Sequence, residues 1–283
     1  MKRGITALSF VPMDILTSIQ IAEEAGYETI ELRISMISNF LAQGNSVEDL
    51  IAAFGAVSVR PNLVGAIENL DMPEGPQRDE LLILFRRMCG IAQELRCPGI
   101  QVVSGKTYHQ CDWTTIRKET AKGLRELAAV AAGYELTVAY EPLAWMPVKN
   151  IELVLDVIEG AGRPDNVGVL VDTFQIFAGK DELQTVAGLD PRLIPTVHLG
   201  DAAPRQFDSW SDEDRYTMAG DGIVPLRKIM KAILATGYDG SISDEIWPTR
   251  YTYWSKLKLA ENLKVRADAV LESVMDLTNC TMG

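Results

Sequence analysis

Val167-Gly168-Val169-Leu170-Val171-Asp172 is a run of apolar residues that ends on a carboxylate. A strand that is apolar on both faces is covered on both sides, as in a parallel sheet wrapped by helices. Segments 137–141, 196–199 and 241–244 have the same short, strand-like character. Helical stretches lie between them at 150–160, opened by Asn150, and at 225–236, closed by Gly237. The alternation runs back to the N-terminus. Strands are predicted at 5–10, 29–33, 62–67 and 99–103. Helices are predicted at 14–25, 47–54 after a Ser46 cap, 77–95 and 113–132, with a last one over 253–275. Eight strand–helix units without linker composition predict an α/β fold, a (β/α)8 TIM barrel with a closed eight-stranded parallel sheet, in one domain over 1–283. No Gly-rich dinucleotide fingerprint follows the first strand, which counts against an open doubly wound sheet.

The bulk properties exclude several classes. The chain has 283 residues, 47% of them apolar, enough for a sizeable core. Its formal charge of −12 argues against a general nucleic-acid binder, which needs a basic face. No stretch approaches the ~20 apolar residues of a membrane span. The start Met1-Lys2-Arg3-Gly4-Ile5 resembles a signal sequence only briefly, because Asp14 interrupts it. Cys89, Cys97, Cys111 and Cys280 form no CxxC pair and read as reduced thiols. A cytoplasmic protein is expected, free or in a homo-oligomer or with a partner subunit.

In a barrel the chemistry sits at the C-terminal ends of the strands. The fifth strand ends on Glu141, the sixth on Asp172 and the seventh reaches His198, while the eighth leads to Glu245. A single carboxylate there is as well explained by a salt bridge or a helix cap. Four metal-capable groups on four consecutive strands are not, because desolvating them is costly without a cation. Three carboxylates and one imidazole suit one divalent metal ion, Mn²⁺, Mg²⁺, Co²⁺ or Zn²⁺.

The order Glu, Asp, His, Glu on strands five to eight resembles the xylose-isomerase-like barrel superfamily of sugar isomerases and epimerases. Within it the chain is most similar to the inosose (2-keto-myo-inositol) isomerase type. The segments carrying the likeness are 27–33, 165–174, 211–215, 220–222 and Glu245 with Ile246-Trp247-Pro248 behind it. The resemblance implies that Glu141, Asp172, His198 and Glu245 hold the metal. It also implies that Glu141 and Glu245 remove and return a proton beside the carbonyl of a keto-sugar or cyclitol, and that Arg215 holds substrate oxygens. Two positions depart from the pattern. Gln175 stands where the family often has histidine; it can donate a hydrogen bond but cannot act as a base. Asp244 stands where an apolar residue is usual, and strand alternation turns it toward the helices if Glu245 faces the site, unless a bulge intervenes.

Weaker candidates lie in the loops 108–112 and 201–222 and near them. Lys106, Tyr108 and His109 follow the fourth strand, Glu68 follows the third, and Trp145 and Trp247 follow ligand strands. Each has a plain reading as solvent-exposed loop or packing. The leading function is a metal-dependent isomerase or epimerase acting through an enediolate. The alternative is a lyase that begins with the same proton abstraction and then expels a β leaving group, as in a keto-inositol or keto-acid dehydratase or a 3-oxo-glycoside-cleaving enzyme. A DNA-repair endonuclease on this barrel would need a histidine-rich metal cluster, and the chain has two histidines. A catalytically dead binding barrel fits poorly with four intact ligand positions.

Overall fold

The computed structural model describes residues 1–205 and 209–280, with side chains described to residue 275. Its strand segments are β1 (Lys2–Thr6), β2 (Thr29–Arg33), β3 (Arg60–Ile67), β4 (Gly99–Val103), β5 (Thr137–Glu141), β6 (Val167–Val169), β7 (Val171–Asp172), β8 (Val197–Leu199) and β9 (Ser241–Asp244). They form one parallel sheet in the order β6-β5-β4-β3-β2-β1-β9-β8-β7. β6 and β7 are two halves of one stave, interrupted only at Leu170. The Leu170 N–H donates to Tyr140 O on β5 (3.0 Å), and the Val171 N–H donates to Thr196 O beside β8 (3.3 Å). The stave changes partner halfway along and thereby closes the ring, which is the predicted barrel.

The helices are α1 (Ile15–Glu24), α2 (Ile34–Ala42), α3 (Val47–Gly55), α4 (Pro76–Glu94), α5 (Trp113–Ala132), α6 (Ile151–Gly160), α7 (Thr173–Gly179), α8 (Leu183–Ala187), α9 (Leu226–Ala235) and α10 (Lys256–Cys280). Side-chain caps start several of them: Ser46 on α3 and Asn150 on α6, as expected, and also Asp14 on α1 and Asp112 on α5. The main core lies between the sheet and these helices, whereas Leu63, Ala139 and Leu170 form a small separate cluster. Ala139 and Leu170 stand two residues before Glu141 and Asp172, so the carboxylates share their face of the sheet.

Several boundaries differ from expectation. The first strand is Lys2–Thr6, and Ala7–Phe10 is a buried 3₁₀ turn. A buried apolar run carries no period that separates strand from turn. The helices α2, α7 and α8 lie in segments for which the sequence predicted no element. The last helix begins at Lys256 and extends to Cys280.

Asp244 faces the helices, as alternation requires, and no bulge turns it inward. Its Oδ1 takes the Arg3 guanidinium at 2.7 Å and its Oδ2 accepts from Tyr27 OH at 2.6 Å, while Arg3 Nε reaches Asp268 of α10 at 2.6 Å. A carboxylate therefore replaces the usual apolar residue to tie β1, β9 and α10 together. Cys89, Cys97 and Cys111 are free thiols. Among the described residues no helix is long and apolar enough to cross a membrane.

Candidate metal centre

Each of the four strand-end groups reaches the barrel mouth by the same device: an apolar or small residue faces inward one layer down, and the functional group follows two residues later. Asp172 pairs with His198 in register, and His198 with Ser243, so adjacent staves stack their functional side chains. One oxygen of each carboxylate and one nitrogen of His198 lie within 4.8 Å of one another, and all four residues are buried.

The individual environments are unequal. Asp172 Oδ1 caps α7, accepting from Phe174 N (2.6 Å) and Gln175 N (3.1 Å), which leaves Oδ2 for the centre. Glu141 Oε2 accepts from Gln101 Nε2 at 2.6 Å, while its Oε1 is buried without a partner among the described residues. His198 Nε2 lies 2.7 Å from Glu31, and Nδ1 points to the carboxylates, 3.3 Å from Glu245 Oε2 and 4.0 Å from Asp172 Oδ2. Among the described residues that Nδ1 has no hydrogen-bond partner. Arg215 bridges Glu245 and Asp172 with one terminal nitrogen, the latter at 3.1 Å, and reaches Asp212 with the other at 2.5 Å.

Charge balance follows from these contacts. Burial alone raises Glu245, but Arg215 and His198 outweigh it and hold its carboxyl well below the usual range. Burial lowers His198, yet Glu245 and Glu31 outweigh that and hold the imidazole well above its ordinary value. Glu141 has no cation in contact among the described residues, and burial with the nearby Glu245 pushes it up to about 8. A buried carboxylate oxygen and a buried ring nitrogen, both unpartnered and converging on two further carboxylates, fit a divalent cation. The O₃N donor set suits the metals expected from the sequence.

The family follows from the whole-chain pattern. A sequence model of the xylose isomerase-like TIM barrel family matches residues 19–269. The chain belongs to that family. An inosose isomerase of Halalkalibacterium halodurans is 23% identical over 264 residues, covering 92% of both proteins. A 3-dehydroshikimate dehydratase of Pseudomonas putida is 25% identical over 253 residues, 87% of this chain but 38% of that one. The crystal structure of IolI protein with a zinc atom superposes with a TM-score of 0.90 at 21% identity, covering 97% of this chain and 99% of that one. At that identity the likeness shows the fold.

The other residues singled out from the sequence are dispersed. Arg215 is buried in the centre, supplied by the long loop after β8. That loop is held by Asp201, whose carboxylate accepts from the N–H groups of Ala202, Gly220, Gly222 and Val224 at 2.8–3.0 Å. Trp210 packs edge-on against Phe174 and Phe177 of α7. Gln175 is fully buried, with Oε1 held by Ala144 N at 2.9 Å and Nε2 left as an unpartnered donor. Trp247 is partly exposed beside Arg215, and Trp145 is partly exposed after β5. Lys106, His109 and Glu68 are exposed, and His109 Nδ1 contacts Lys106 O at 2.8 Å.

Sequence reasoning missed Thr6, Glu31, Arg33 and Gln101. All four line a cavity of about 20 Å³ with His198 and Glu245, about the room of one water or ion. Their signal was a polar residue at alternate positions of otherwise apolar strands, as in Thr29, Glu31 and Arg33. Larger clefts of 480 and 680 Å³ lie on the outer flanks against α9 and α6. They contain none of the four converging groups, so the chemistry and not the cleft size locates the site.

Proposed function

We propose that this chain is a divalent-metal-dependent isomerase or epimerase of a keto-sugar or keto-inositol, working through an enediolate. The observation that carries this reading is the buried quartet at the barrel mouth, with His198 Nδ1 and Glu141 Oε1 left unpartnered. Glu141, Asp172, His198 and Glu245 would hold the cation, which supplies a Lewis acid for a carbonyl and its adjacent hydroxyl.

The chain's own groups do the proton work. Glu245 stays ionised through Arg215 and His198, as a base must, and removes the proton beside the carbonyl. Glu141, the other glutamate of the quartet, returns one. Arg215 donates to substrate oxygens from its anchored loop, and Gln175 offers its free Nε2–H. Lys106, His109, Glu68 and Trp247 contribute from the rim loops to the shape of the site. The inosose isomerase relative supports a keto-inositol as substrate, and the free thiols accord with a cytoplasmic setting.

A lyase shares the first step. The dehydratase relative and the absence of a base at Gln175 keep it as the second reading. The test is incubation of the metal-loaded protein in D₂O with keto-inositols and keto-sugars, followed by NMR of the substrate carbons. Deuterium beside the carbonyl with the skeleton intact is the expected result. Exchange with water loss or a released fragment would assign the lyase, and no exchange by any substrate would overturn both.

A further inference from the structure

Glu31 takes no part in the proton work above, yet its carboxylate meets four side chains. It lies on β2, and 5% of its surface is exposed. Its Oε1 accepts from Ser243 Oγ at 2.6 Å, Thr196 Oγ1 at 2.9 Å and Asn62 Nδ2 at 3.3 Å. Its Oε2 faces His198 Nε2 at 2.7 Å. Thr196 and Ser243 stand two residues before His198 and Glu245, so Glu31 sits one layer beneath the quartet and is gripped by donors from three other staves.

This arrangement has a chemical consequence. A carboxylate oxygen 2.7 Å from Nε2 accepts from a ring N–H, so when His198 is a neutral metal ligand its one ring proton sits on Nε2. Nδ1 is then the nitrogen left to face the three carboxylates, where it is buried and unpartnered. A ring flip would break the contact with Glu31 and turn carbon toward the quartet. A carboxylate on the far nitrogen also makes an imidazole a stronger metal donor.

We propose that Glu31 is the positioning residue of the metal centre: it fixes the ring of His198 so that Nδ1 is the ligand atom. The proposal rests on the reading of the quartet as a cation site, and its test separates the two. The full-length protein is titrated with Zn²⁺ against a chromophoric chelator as wild type, Glu31→Gln and Ser243→Ala. The ring nitrogens of His198 are followed by ¹H–¹⁵N NMR in the Zn²⁺-loaded wild type.

Glu31→Gln keeps the shape and removes the charge, and its affinity for Zn²⁺ is expected to fall about 10–100-fold with unchanged circular dichroism. Ser243→Ala removes one donor to Glu31 but leaves the contact with His198, and its affinity should stay near wild type. In the wild type the ring proton should be on Nε2 and shifted downfield by its carboxylate acceptor. Wild-type affinity in Glu31→Gln, equal losses in both variants, or a ring proton on Nδ1 would each overturn the proposal. The last of these needs no variant to fold. A wild type that takes up no Zn²⁺ would instead overturn the cation site itself.

Discussion

Glu245 is the residue on which the proposed chemistry depends most. Arg215 and His198 keep it ionised in a buried site, where an unpaired carboxylate would take up a proton. Glu245→Gln retains the side-chain size and loses the base. Steady-state turnover at saturating metal should fall by about 10²–10⁴-fold with the fold intact. Near-normal turnover would remove Glu245 from the proton chemistry. Arg33 makes a second residue-scale prediction. It lines the central cavity, and its guanidinium has no hydrogen bond or ion pair among the described residues. Arg33→Ala should raise KM by about 10-fold or more with a smaller change in kcat, since a charged hydrogen bond contributes roughly 1.5–3 kcal/mol. An unchanged KM would mean that Arg33 never meets the substrate. The four quartet residues were legible in the sequence because metal-capable groups recur at or next to the C-terminal ends of four consecutive staves. Glu31 and Gln101 were not, because each sits inside its strand with partners far along the chain: residues 62, 196, 198 and 243 for Glu31, and residue 141 for Gln101.

At the scale of elements, helices with a polar cap and a clear period were legible, and α5 matches its expected span of 113–132. The short helix α7 was not, because Thr173-Phe174-Gln175-Ile176-Phe177-Ala178-Gly179 is nearly all buried and shows no polar face. Its cap is Asp172, so one side chain starts a helix and faces the centre. Another carboxylate, Asp181, joins α6 to the segment after α7 by accepting from Ile151 N at 2.8 Å, with Oδ2 buried and unpartnered. Burial pushes its carboxyl up to about 7. The folded protein therefore keeps a proton there that the unfolded chain has already lost. Stability is penalised progressively as pH rises from the ordinary carboxylate range toward 7, and the penalty is constant above that. Asp181→Asn cannot ionise. It should melt higher than wild type at about pH 8, and the difference should shrink at about pH 5. A difference that grows on acidification would contradict this assignment. The Arg3–Asp244 pair is the opposite case, a buried pair that closes the barrel. Asp244→Ala removes the buried partner of Arg3, leaving it only the part-exposed Asp268, and should cost up to about 3–5 kcal/mol in denaturant unfolding. A loss below about 1 kcal/mol would place the pair among surface-like contacts.

For the whole molecule, the barrel brings four carboxylates, one imidazole and the guanidiniums of Arg215 and Arg33 into its mouth and the layer beneath. Without a cation that assembly is held by Arg215 and by the protons on His198 and Glu141. A metal that binds only the folded state stabilises it by about 2.7 kcal/mol at a hundredfold excess over Kd. Chelation should therefore abolish turnover and lower Tm by about 4–5 °C, reversibly on adding metal back. A chelated protein that melts at the same temperature would count against a buried site. The central claim is that Glu141, Asp172, His198 and Glu245 bind one divalent cation together. Anomalous diffraction from a crystal soaked in Mn²⁺ tests it most directly. The account predicts one strong peak among the four side chains, in contact with His198 Nδ1. A peak elsewhere, or none at saturating Mn²⁺, would contradict it.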